Sequence, residues 1–355
     1  MTSTPALPTS AALIATGGVL ASIALAYLVA RLASRGARHH ARESARRLER
    51  LLRRFLEEGS GARELRRAAR EADHRALWAA LENLAPGPGP AKRRRLGELL
   101  ERNRHALAER RALRDDSPWR RELAARRLGL VSSPRSRRAL RRAMQRGPES
   151  VTFAAALALA RLRDRPALHW VLEHPETLAR RTPRALAALL RGFGRPGLAL
   201  MADALERGVA DPRLARALIE TLGLGGWRSA AGAIEVRLAA ENVDVRVAAV
   251  RALGRLGGSA CAPALIERLA DPEWPVRAQA ARALGLTGAT DAVEPLAACL
   301  TDRAWWVRRH AAYALLALGE AGSSALRAAA STSPDPYARD ISSEALGGGF
   351  PRSAA

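Results

Sequence analysis

The sequence predicts an all-α protein: an α-solenoid of about eight 31-residue helical repeats, preceded by an N-terminal transmembrane helix and basic juxtamembrane helices. Three observations carry this expectation. Leucine recurs at one period along most of the chain. An uncharged apolar run lies near the N-terminus. Aromatics make up only 4% of a chain rich in Ala, Leu and Arg, a mix that suits many helices packed through small contacts. The expected order is an extracytoplasmic N-terminus (1–10), a transmembrane helix (11–30), a basic helical region (31–115), the solenoid (116–346) and a flexible tail (347–355).

Residues 11–30, "AALIATGGVLASIALAYLVA", carry no charge. As a helix they rise about 30 Å, the thickness of a bilayer's hydrocarbon core. A cleaved secretory signal would want basic residues before the apolar run, and "MTSTPALPTS" has none. Arg31, Arg35, Arg38, Arg42, Arg46 and Arg47 follow it. Positive charge keeps that end in the cytoplasm, so the N-terminus is expected outside and the rest of the chain in the cytosol. The same arginines are placed to meet anionic lipid head groups. Gly18, Ser22 and Ala26 share one helix face, where small side chains would let a second membrane helix approach.

Between 31 and 115 the pattern is amphipathic without the 31-residue period. "ARRLERLLRRFLEEG" places Leu48, Leu51, Leu52, Phe55 and Leu56 on one helix face. "ARELRRAAREADHRALWAALENL" is expected as a second helix and "AKRRRLGELLERNRHALAERRAL" as a third, with "APGPGP" at 85–90 as a break.

The repeat is written most plainly in "DPEWPVRAQAARALG" from Asp271 and its echo "DRAWWVRRHAAYALL" from Asp302. Leu128, Leu159, Leu190, Leu222, Leu253, Leu284, Leu315 and Leu346 stand 31 apart, with one step of 32. Four residues before most of them is a small residue: Ala124, Ala155, Ala249, Ala280, Ala311 or Ser342. Eight before is Val151, Leu214, Val245, Val276, Val307 or Ala338. Residues at i, i+4 and i+8 form one buried stripe. Each unit also holds a preceding helix, such as "APALIERLA", and two helices of about a dozen residues fill 31 positions. One pair cannot bury its apolar face alone, whereas stacked pairs bury it continuously. The more polar "YARDISSEALGGG" is expected as the water-facing cap.

"DVRVAAVRALGRLGG" and "DPEWPVRAQAARALGLTG" resemble HEAT repeats, in particular the short bacterial type named after phycobilisome lyases. The resemblance is strong from about 200 to 346 and weaker from 119 to 199. It implies an Arg in each second helix that pairs with a turn Asp, forming a ladder between repeats. Arg246, Arg277, Arg308 and Arg339 hold that position, with Asp244, Asp271, Asp302 and Asp335 as candidate partners. The bacterial resemblance and the basic flank together imply a single-pass protein of the inner membrane with a cytoplasmic solenoid.

Candidate chemistry is sparse. Among His39, His40, His74, His105, His169, His174 and His310 there is no HExxH and no His–Glu dyad, and Cys261 and Cys299 form no CxxC pair. No phosphate-loop motif is present. The expectation is of no cofactor, no metal and no enzymatic activity. Two buried, reduced thiols are expected.

The net charge of +23 is uneven. Residues 119–200 hold 18 basic and 5 acidic residues, whereas 201–355 hold 17 of each. Arg120, Arg121, Arg126, Arg127, Arg135, Arg137, Arg138, Arg141, Arg142 and Arg146 make nucleic-acid binding through 120–165 the alternative reading. The charge excess stops near 200, where a groove reader would carry it on, so nucleic acid is disfavoured. The favoured function is a membrane-anchored scaffold that binds a protein partner. Trp274, Trp305, Trp306, Arg309, His310 and Tyr313 are its candidate contact residues, because such groups join apolar area to hydrogen bonding.

Overall fold

The computed structural model describes residues 43–84 and 89–347. The predicted membrane span 11–30, Arg31, Arg35, Arg38, Arg42, the break at 85–88 and the tail from 348 lie outside the described residues. Among the described residues no helix is long and apolar enough to cross a membrane. They are helical throughout, without strands, and form two compact units. One comprises residues up to Asp115 with Leu130–Ser136; the other comprises Asp116–Gly129 and the chain from Arg137 onward.

In the first unit, α1 covers 43–58. It is followed by α2 (Ala62–Glu71), α3 (His74–Glu82), α4 (Pro90–Leu100) and α5 (Arg104–Ala112). Leu48, Leu52, Leu65, Leu77, Trp78 and Leu96 form its core. The two long helices expected over 62–84 and 91–113 are each broken in two. Asp73 accepts a hydrogen bond from the Arg75 amide at 3.0 Å and caps α3. Asn103 does the same for His105 at 2.8 Å and caps α5, while its amide donates to the Ala69 carbonyl. Side-chain capping of an orphan amide starts a new helix where apolar periodicity continues unbroken.

In the second unit one row of helices repeats at the leucine period. These are α6 (Pro118–Leu128), α8 (Glu149–Arg161), α10 (Pro183–Gly192), α12 (Pro212–Leu224), α14 (Val243–Leu256), α16 (Trp274–Thr287), α18 (Trp305–Ala317) and α20 (Pro336–Leu346). Between them run α7 (Pro134–Arg146), α9 (Arg165–Glu173), α11 (Arg195–Arg207), α13 (Ala231–Glu235), α15 (Ala262–Glu267), α17 (Val293–Ala298) and α19 (Glu320–Thr332). Each helix of the leucine row packs against the next. Seven of the period leucines, Leu128 to Leu315, are fully buried; Leu346, in the last helix, is half-buried. Val245, Val276 and Val307, and Ala249, Ala280 and Ala311, are buried beside them.

Neighbouring helices of the leucine row lie close along a glycine seam. A Cβ on Gly254 would fall 2.7 Å from the Cβ of Ala283, and one on Gly223 would fall 2.8 Å from that of Ala252. Gly285 meets Ala314 in the same way. The first helices are shorter than expected between 228 and 301. There α13, α15 and α17 have five or six residues and continue into 3-10 turns. Pro263 and Pro295 stand in the first turns of α15 and α17, where a missing amide costs no intrahelical hydrogen bond.

Candidate functional site

The predicted contact residues gather on α16 and α18. Trp274 opens α16, and Trp305 and Trp306 open α18. Their exposures of 46%, 45% and 49% are unusually large for tryptophan. Trp305 and Trp306 meet edge to face with ring centroids 4.6 Å apart, and Trp306 stacks toward His310 at 6.2 Å. Burial, then the charges of Arg282 and Arg309, lower the pKa of His310, so its imidazole is neutral at pH 7.

Arg309 and Tyr313 do more internal work than the sequence suggested. Arg309 donates to Glu344 of α20 at 3.0 Å, and the Tyr313 hydroxyl donates to the same carboxylate oxygen at 3.1 Å. The Arg309 guanidinium also lies 5.1 Å from the ring centres of both Trp305 and Tyr313. These two side chains tie α18 to the last helix, while the three tryptophans face outward. Glu344 is 31 residues beyond Tyr313, a register that pairs them across neighbouring helices.

The ladder has two ionic rungs. Arg246 binds Asp271 through two hydrogen bonds of 2.9 and 3.1 Å, and Arg277 binds Asp302 at 2.8 and 3.0 Å. Each Arg also donates to carbonyls at the turn before its own helix, Ala240 and Glu241 for Arg246, Asp271 and Pro272 for Arg277. Arg308 and Arg339 keep the carbonyl contacts, to Asp302 and Arg303 and to Ser333 and Pro334. The acid that would serve Arg308 is replaced by Ser333, 25 residues on, the spacing of the two complete rungs. Asp244 pairs instead with Arg216 at 3.0 Å, and Asp335 caps α20.

Part of the Arg-rich stretch is neutralised internally. Buried Asp164 lies 3.2 Å from Arg137 and 3.5 Å from Arg141 and also caps α9. Arg135 lies 3.5 Å from Glu101. Arg46 and Arg47 are exposed on α1.

Sequence reading missed a second cluster on the leucine-row helices. Arg251 and Arg255 on α14, with Gln279, Arg282, Ala283 and Leu286 on α16, line a cavity of about 40 Å³. The available signal was Arg251 and Arg282 at the 31-residue period.

Helix pairs stacked at a fixed period and tied by Arg–Asp rungs define a helical-repeat protein. The family model for HEAT repeats matches residues 262–347, and the PBS lyase HEAT-like repeat model matches 245–271. Residues 245–347 thus carry HEAT repeats, including one of the phycobilisome lyase type. No curated protein matches it. Similar solved structures include human deoxyhypusine hydroxylase in complex with glycerol, at 22% identity and TM-score 0.29, covering 68% of this chain and 94% of that one. The CpcE–CpcF complex of phycocyanin lyase from Nostoc sp. is 22% identical with TM-score 0.26, covering 80% and 93%. An engineered protein is 17% identical with TM-score 0.25, covering 78% and 97%.

The expectation of a chain without enzymatic activity is corrected here. The repeat model that matches residues 245–271 is named for a lyase, so a chain of such repeats gives no ground for excluding catalysis. Short motifs are a poor guide in such a fold, because stacking brings together residues from different repeats that no local spacing reveals.

Proposed function

We propose that the chain is a membrane-tethered HEAT-repeat scaffold that captures a protein partner along the edge formed by Trp274, Trp305 and Trp306. The carrying observation is that three tryptophans on consecutive repeats are each nearly half exposed. A purely structural rung gains nothing from leaving such area in water, whereas a partner that covers it gains both apolar burial and indole hydrogen bonds. Binding a protein is required of a scaffold and equally of an enzyme that modifies one.

The tether rests on the uncharged run at 11–30 and the arginines that follow it. It places the array at the cytoplasmic face of a bacterial inner membrane, with Arg46 and Arg47 toward anionic head groups and Gly18, Ser22 and Ala26 open to a second membrane helix. Nucleic-acid binding through 120–165 is the weaker reading, because Asp164 already engages two of those arginines.

The test is affinity capture from detergent-solubilised membranes with the full chain. Trp305→Ala with Trp306→Ala should lose the partner recovered by the parent chain. Unchanged recovery would move the binding face elsewhere. Carbonate extraction should leave the chain in the membrane pellet, and release into the supernatant would remove the tether.

A further inference from the structure

We propose that Arg251, Arg255 and Arg282, together with Gln279, form a binding site for a phosphate group. Arg251 and Arg255 are one turn apart on α14, and Arg282 stands one repeat further on α16. All three line the same small cavity. Its volume of about 40 Å³ suits a few waters or one small oxyanion.

Pairing elsewhere in the array makes this cluster informative. Arg216 binds Glu220 and Asp244, Arg246 binds Asp271, Arg277 binds Asp302 and Arg309 binds Glu344. Among the described residues Arg251, Arg255 and Arg282 form no such ion pair. The carboxylate that acts on Arg251, Glu220, is itself held by Arg216 at 3.0 Å. Three guanidinium groups therefore share one cavity that no carboxylate lines. The pKa of Arg251 is lowered, first by lost hydration and then by Arg255, with Arg282 and Arg216 adding to the effect and Glu220 opposing it.

The chemistry favours phosphate over a lone carboxylate. A phosphate dianion offsets two of the three positive charges, a carboxylate only one. Guanidinium forks match phosphate oxygens in bidentate fashion, and Gln279 offers a neutral amide donor beside them. Leu286 lines the same cavity and is 63% exposed, which gives the carbon part of a phosphomonoester an apolar wall. The site shares no lining residue with the tryptophan edge, although Arg282 acts on the charge of His310 beside it, and phosphate binding does not require partner capture there.

The test uses the full chain in detergent, titrated by calorimetry near neutral pH at matched ionic strength. The probes are inorganic phosphate, phenyl phosphate and acetate. Phosphate and phenyl phosphate should each bind saturably and acetate should not. Tighter binding of phenyl phosphate assigns the site to a phosphomonoester; equal or weaker binding assigns it to free phosphate. Arg251→Gln with Arg282→Gln should weaken binding about tenfold or more, because charge-assisted hydrogen bonds are lost. Both side chains are exposed, so the melting temperature without ligand should hold. Independently of any variant, phosphate should protect Arg251, Arg255 and Arg282 from phenylglyoxal in the native chain, read by peptide mass. Equal binding by acetate, unchanged binding in the double variant, or no protection of these three arginines would overturn the assignment.

Discussion

Arg277 holds Asp302 by two side-by-side hydrogen bonds, Nε to Oδ2 at 2.8 Å and Nη2 to Oδ1 at 3.0 Å. Its remaining nitrogen, Nη1, donates to the carbonyls of Asp271 and Pro272. One guanidinium thus joins the turn before its own helix to the turn of the next repeat. Asp302 in addition accepts from the Ala304 amide at 2.8 Å, so the same carboxylate shapes the entry to α18.

Arg277→Ala should cost about 3–5 kcal/mol, because it leaves a largely buried carboxylate without its cation. Burial by itself would raise the pKa of Asp302, but the hydrogen bonds and charge of Arg277 outweigh it and hold the folded value below the usual one. A depressed folded pKa gives stability that is present above the unfolded value of about 3.9 and is lost as pH falls through the folded value. The parent chain should therefore lose stability in acid, and the gap between parent and variant should narrow below about pH 4. Urea unfolding followed by circular dichroism across that range measures both. A gap that stays constant into acid would mean that the pair is not the source.

Leu284→Ala should cost about 2–5 kcal/mol, since a fully buried rung leaves a cavity between neighbouring repeats. A change below about half a kcal/mol would argue against that rung. Gly254→Ala is the opposite experiment at the same seam. Alanine gains up to about 1 kcal/mol in a helix, yet its methyl group would lie 2.7 Å from that of Ala283. The expected net effect is destabilisation by about 1–3 kcal/mol as the helices are pushed apart. Gly232→Ala, where a Cβ would meet nothing within 4 Å, is the control and should be neutral or mildly stabilising. Thermal melts of the three variants decide the matter.

Cys261 and Cys299 should resist alkylation in the folded chain and label fully once it is unfolded. Both are buried. Burial, with Asp302 adding to it and Arg277 opposing it, pushes the Cys299 thiol up to about 11, and burial with Glu235 raises that of Cys261. The reactive thiolate is therefore scarce at pH 8. Timed iodoacetamide labelling read by mass spectrometry checks this; rapid labelling of Cys299 without unfolding would show that the turn opens.

Arg309→Ala with Tyr313→Ala should loosen α20, because both side chains end on Glu344. The pair is partly exposed, so the loss of global stability should stay near or below about 1 kcal/mol. Hydrogen exchange should instead show faster opening of amides in Pro336–Leu346. Exchange there at the parent rate would show that packing of Ile341 and Ala345 alone holds the last helix.

The all-helical fold, the repeat length and the buried stripe are legible in the order of residues alone. Those properties depend on side chains four residues apart on one helix face and on a fixed period, and both are visible along a line of letters. The Leu, Ala and Val positions from 245 to 315 could be placed in the core for that reason. The turn aspartates were legible only as candidates. Stacking decided that Asp271 and Asp302 serve the ladder and that Asp244 turns to Arg216, whereas Asp335 caps its own helix through a local bond. Stacking also decided that Arg309 and Tyr313 reach Glu344, and that Arg251, Arg255 and Arg282 share a cavity without a carboxylate. These outcomes turn on which side chains from different repeats arrive within about 3 Å of one another. That distance is set by the rotation and close approach of whole helices, which no single repeat specifies.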